Sequence, residues 1–141
     1  MITTIFKKVL TFILATAFLA LAAPTATAAQ KGTEEELKER IEITNKKRVT
    51  PKEIKRFEEK LKAYFFEAVP DDVIESAMKE LTPGEALAAI VITNLSKKPG
   101  RDIIKMKKDG KSWTDIVNAV GLKMKDVVKE VKEFQKTSGC A

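Results

Sequence analysis

From residue 50 onward, apolar side chains recur every three or four positions, and no stretch alternates with the period of two that a half-buried strand requires. Ile54, Phe57, Leu61, Tyr64, Phe65 and Ala68 mark one helical face; Val73, Ile74, Ala77, Met78 and Leu81 mark a second. Ala86 to Ile92 is apolar almost all round, the pattern of a helix surrounded by its neighbours, and it is expected at the centre of the fold. Ile103, Ile104 and Met106 give a short helix its inner side. Trp113, Ile116, Val117 and Val120 do the same for the next, and Met124, Val127, Val128, Val131 and Phe134 lay a stripe on a longer last helix. Residues 34–47 carry only Leu37, Ile41 and Ile43, so a helix there is expected to pack weakly. The pattern predicts an all-α compact bundle of five or six short helices.

Local punctuation agrees. Thr50-Pro51-Lys52-Glu53 and Thr82-Pro83-Gly84-Glu85 are helix starts: threonine caps, proline takes the first helical position, and glutamate completes a capping box. Thr33 with Glu36, and Ser112 with Asp115, repeat the cap spacing. Gly110 and Gly121 suit the left-handed residue that closes a helix. Val69-Pro70 and Pro99-Gly100 are breaks. Thr50, Thr82 and Ser112 are almost evenly spaced, but neither the tryptophan nor the aromatic stripe recurs, so a helical repeat is not supported. The C-terminal unit is helix-turn-helix-like.

The first residues read as an address. Lys7 and Lys8 precede an apolar run from Val9 to Ala23, and Ala26-Thr27-Ala28 is an A-x-A cleavage site. The run is shorter than the roughly 20 residues that span a bilayer. The expected organisation is a secretory signal peptide over 1–28, a flexible lead over 29–32, a helical domain over 33–136 and a frayed tail over 137–141. The mature chain then lacks a transmembrane span and is periplasmic or secreted in a bacterium.

Charge sharpens the picture because it is uneven. The chain carries a formal +6. Lys97, Lys98, Arg101, Lys105, Lys107, Lys108 and Lys111 face only Asp102 and Asp109 within the segment 97–111. Lys97, Lys98, Arg101, Lys105, Lys108 and Lys111 are therefore the candidate binding residues for an anionic partner. Sequence-specific nucleic acid is not expected. The last helix interleaves Lys123, Lys125, Lys129, Lys132 and Lys136 with Asp126, Glu130 and Glu133, and its early turns lack Asn, Gln or Arg for base edges.

The chemical inventory is narrow. There is no histidine, which removes the commonest general base and metal ligand. One cysteine, Cys140, cannot form an intrachain disulfide or a Cys–His pair, and Cys/His metal clusters are excluded by count. No catalytic residue, cofactor or metal is expected. Cys140 could join two chains through a disulfide, or be incidental to the tail. Phe57, Tyr64 and Phe65 are core residues or the lining of an apolar-ligand pocket against the 83–95 helix. Trp113 is a plug between the last helices or an exposed recognition aromatic beside Lys111.

The stretch Asp109-Gly110-Lys111-Ser112-Trp113-Thr114-Asp115-Ile116, followed by Gly121-Leu122, resembles a turn of uncharacterised small exported bacterial helical proteins that carry a G-K-S-W-x-D-I sequence. The resemblance covers about residues 85–125. It implies a compact helical unit in an exported protein and transfers no activity. Together these features predict an exported non-catalytic binding or scaffold module, whose basic face takes an anionic envelope component or an acidic protein. The alternatives are a small apolar-ligand carrier and a carboxylate-based hydrolase.

Overall fold

Ala86 to Thr93 are all buried, and the other helices are arranged around this stretch. In the computed structural model the described residues are 33–140; the expected signal peptide, the lead and Ala141 lie outside them. The chain is all-α. Seven helices are found among the described residues: α1 (33–46), α2 (Pro51–Tyr64), α3 (Asp71–Glu80), α4 (Pro83–Ser96), α5 (Gly100–Lys108), α6 (Trp113–Ala119) and α7 (Met124–Thr137). That agrees roughly with the expected five or six; the short α5 and α6 are separate helices, with Gly110 at φ 87° in the turn between them.

Each start uses the local chemistry written in the sequence. Thr50 and Glu53 form a reciprocal capping box on α2, and the hydroxyls of Thr82 and Ser112 accept from the Glu85 and Asp115 amides. α4 packs against α2, α3, α5 and α7. Between α2 and α7 the rings of Phe57, Tyr64, Phe65 and Phe134 meet with centroids 4.8–5.9 Å apart, and all but Tyr64 are buried. Such ring pairs add about 0.5–1.5 kcal/mol each beyond area burial.

Two expectations are corrected. α1 does not pack weakly: Leu37, Ile41 and Thr44 are buried, and the α1 backbone at Ile41 lies directly over Gly84 of α4. The Thr44 hydroxyl donates to the Arg40 carbonyl, and Gln135 of α7 donates to Thr44 Oγ1 at 3.0 Å and to the Arg40 carbonyl at 3.2 Å. A Lys132–Glu36 ion pair and a Thr114–Glu34 hydrogen bond tie α1 to α7 and α6. Nor does the tail fray over 138–140. Gly139 turns the chain at φ 66°, the Cys140 amide donates to the Gln135 carbonyl at 2.8 Å, and Cys140 is 1% exposed.

Candidate basic face on the fifth helix

α5 begins where α4 can no longer continue. Lys97 closes α4 in the left-handed region, φ 58°, and Pro99 then sets the first turn of α5. Gly100 lies so close to Val73 and Thr93 that a Cβ there would stand 2.3 Å from Val73 Cγ1. With Gly100, Ile103 and Ile104 committed to the core, Arg101, Lys105 and Lys108 are left on the outer face at positions i, i+4 and i+7.

Two grooves meet on this face. One, of about 430 Å³, runs between α3 and α5 and is bordered by Arg101, Lys105 and Lys108 together with Ser76, Glu80 and Asp109. The other, also about 430 Å³, lies between the turn at 68–70 and the turn into α5, with Lys97, Lys98 and Arg101 on its border. Arg101 belongs to both, so five of the six predicted cations are brought together. Lys111 is exposed beyond Gly110, outside both grooves.

The charge of the face is partly offset. Arg101 pairs with Asp72 at 3.3 Å and Lys108 with Glu80 at 2.8 Å, both acids on α3. The hydrogen bond and charge of Lys108 hold the Glu80 carboxyl below its usual range. Lys97 donates to Asn94 Oδ1 at 3.3 Å. Among the described residues, Glu67 (φ 65°) and Lys97 are the non-glycine residues at positive φ, and both sit in the turns that flank the second groove. Each left-handed residue costs about 1–2 kcal/mol.

The aromatic candidates take structural places. Trp113 is 2% exposed, so it is not a surface recognition residue; its ring is capped by Lys107 Nζ at 4.7 Å from the centroid. Phe57, Tyr64 and Phe65 fill the space between α2 and α7 with Phe134 instead of lining a void there. The Tyr64 hydroxyl donates to Glu130 at 3.3 Å, and burial with that carboxylate alongside pushes the phenol above its ordinary value. The Cys140 thiol is enclosed, so a disulfide between chains requires the 138–140 turn to open first.

The carboxylate shifts found among the described residues lend the hydrolase alternative no support. A general acid requires a raised carboxyl pKa, whereas the shifted carboxylates, Glu34, Glu53 and Glu80, all move down. No group of three or more Asp, Glu or Cys capable of holding a metal occurs among them either. One basic region had no place in the sequence pattern. Lys47, Arg48, Arg56 and Lys60 come together beside the C-terminal turn. A charge count over 46–60, seven cations against Glu53, Glu58 and Glu59, would have marked it. Comparison of the chain with protein-family models, with curated proteins and with solved structures gives no match.

Proposed function

We propose that the chain is an exported, non-catalytic binding module whose α5 face takes an anionic envelope component or an acidic protein. The observation that carries this reading is the sharing of Arg101 by two adjoining grooves, which joins Lys97 and Lys98 of the preceding turn with Arg101, Lys105 and Lys108 of α5, a helix whose inner side is committed to the core. Attraction by such a strip is electrostatic and reaches about a Debye length, roughly 10 Å at 0.1 M salt. Asp72 and Glu80 hold Arg101 and Lys108 in place, and a partner's anionic groups exchange with them. The leader sequence and the resemblance of the 109–116 turn support export.

The test compares the chain with a Lys97→Glu/Lys98→Glu/Lys105→Glu variant in co-sedimentation with phosphatidylglycerol vesicles and in binding to immobilised polyglutamate, across a salt series. All three positions are exposed, so the fold, checked by circular dichroism, is unchanged. Binding to either probe that falls steeply with salt and disappears in the variant supports the assignment. Binding retained in the variant, or no binding to either probe at low salt, sinks it.

A further inference from the structure

The largest groove among those described lies elsewhere, between the end of α1, the outer side of α2 and the 138–140 turn, and has a volume of about 530 Å³. It shares no residue with the α5 face. Ala63 is its exposed apolar residue, Phe57 and Cys140 lie behind it at 1% exposure, and its cations are Lys47, Arg48, Arg56 and Lys60.

Two carboxylates border it. Glu53 is turned to the start of α2, accepting from the Val49 amide at 3.2 Å, the Thr50 amide at 3.0 Å and Thr50 Oγ1 at 2.9 Å. Glu59 remains as a partial counter-charge.

Arg48 and Lys60 donate to backbone carbonyls, and the charge of Arg48 also acts on the Glu53 carboxylate. The Arg48 guanidinium lies 5.1 Å from the centre of the Phe57 ring, and its Nη1 donates to the Thr44 carbonyl at 3.5 Å and the Cys140 carbonyl at 3.4 Å. Lys60 Nζ donates to the Ser138 carbonyl at 2.8 Å and stands 3.8 Å from Cys140 Sγ. Carbonyl oxygens are weaker acceptors for these donors than an anion: a hydrogen bond between ionised partners is roughly twice as strong as a neutral one. Because Arg48 is already fixed over Phe57, binding an anion there orders little that is not already ordered. The volume falls within the range of small-molecule sites, about 300–1,000 Å³.

We infer that this groove binds a small organic anion, a carboxylate or phosphate on an apolar body. The anionic head sits between Arg48 and Lys60 with Arg56 at the rim, and the body lies along Ala63 and the aliphatic stems of the cations. Lys47 adds to the positive field.

The experiment is an NMR titration of the isotope-labelled chain with benzoate and, separately, phenyl phosphate. Benzyl alcohol and sodium chloride at matched ionic strength are the controls. Saturable amide shifts centred on residues 47–63 and 138–140, given by at least one anion and by neither control, are expected. Preference between the two anions identifies the head group. Arg56→Gln, which removes a rim cation without touching the contacts that hold the C-terminal turn, weakens binding several-fold; Arg48→Gln weakens it about tenfold or more. Three results each overturn the inference: no saturation by either anion, equal shifts with benzyl alcohol, or shifts centred on 97–111. The α5 face stands or falls separately on its own variant.

Discussion

Gly84→Ala is the most demanding test of how α1 is held. Gly84 follows Pro83 in the first turn of α4, and its amide donates to Asn45 Oδ1 at 2.7 Å. An added Cβ would stand 2.3 Å from the Ile41 carbonyl oxygen and 2.8 Å from its carbonyl carbon and Cα. These are backbone atoms, so no side-chain end can swing aside. α1 must withdraw by about 1 Å to regain ordinary contact, which also stretches the Asn45 bond. Alanine gains at most about 1 kcal/mol in helix propensity over glycine. Against that stand overpacking at about 1–3 kcal/mol and a weakened hydrogen bond at about 1 kcal/mol. The balance is a loss of about 1–3 kcal/mol. A ceiling comes from undocking α1 altogether: exposing Leu37 and Ile41 costs about 1.5–3 kcal/mol each. Urea unfolding followed by the fluorescence of Trp113, the single tryptophan and 2% exposed, measures both quantities. A lower midpoint with unchanged slope means that α1 stays docked under strain; a lower slope as well means that it has left the native fold, because less surface is then exposed on unfolding. Gly121→Ala is the control. Nothing stands within 4 Å of its Cβ, and its φ of 74° alone sets the cost. A Gly84→Ala change within about 0.5 kcal/mol of wild type, the usual range for an inconsequential surface substitution, would refute the close approach of the two backbones.

Two further predictions separate stability from binding and from pH. Lys97→Gly relieves a left-handed residue and raises stability by about 1 kcal/mol, read as a higher midpoint in thermal unfolding, while it weakens vesicle binding by removing one cation from the α5 face. Glu53→Gln is destabilising at neutral pH, and its deficit shrinks in acid. Hydrogen bonds from the Thr50 amide and hydroxyl, and from the Val49 amide, hold the Glu53 carboxyl below its ordinary value in the folded chain. Its contribution is therefore fully present above the unfolded pKa and is lost as pH falls through the folded one. Urea midpoints of the two proteins across neutral to acid pH check this; a deficit that is constant with pH contradicts it.

What could be read from the sequence was what neighbours along the chain decide. Thr50, Thr82 and Ser112 cap because the amides they bond lie three residues on, and Met124, Val127, Val128, Val131 and Phe134 are all buried as their spacing requires. The apolar run of α4 announced its own enclosure. What could not be read depends on who meets whom across the fold. Thr44 counted as polar in the periodicity of α1, yet it is buried because Gln135 arrives from α7 to bond it. Gly84 looked like part of a helix-start motif, but its missing side chain is what admits α1. Phe57, Tyr64 and Phe65 form an aromatic stripe in either a pocket or a core; Phe134 closes the stripe, and its approach is set by the α7 path. The C-terminal turn escaped notice for the same reason, since Arg48 and Lys60 hold it from distant parts of the chain.

Counting charge along a segment also differs from counting it on a surface. The segment 97–111 is strongly basic, yet Arg101 and Lys108 face Asp72 and Glu80, so the field above α5 is weaker than the segment total suggests. These pairs do not bar a partner. Both are solvent-exposed, and exposed pairs contribute only about 0–1 kcal/mol, so exchanging Asp72 or Glu80 for a partner's anion meets little resistance. They act mainly on geometry, keeping two long side chains extended along the groove they border. At Arg48 and Lys60 the cations are oriented by carbonyl dipoles, with Glu53 and Glu59 as partial counter-charges nearby. The two regions should therefore select differently. The α5 strip, spread over two adjoining grooves and partly compensated, suits an extended surface with many weak anionic contacts. The Arg48–Lys60 groove, a single cleft of about 530 Å³ with Ala63 in its lining, suits one anion carrying its own apolar body.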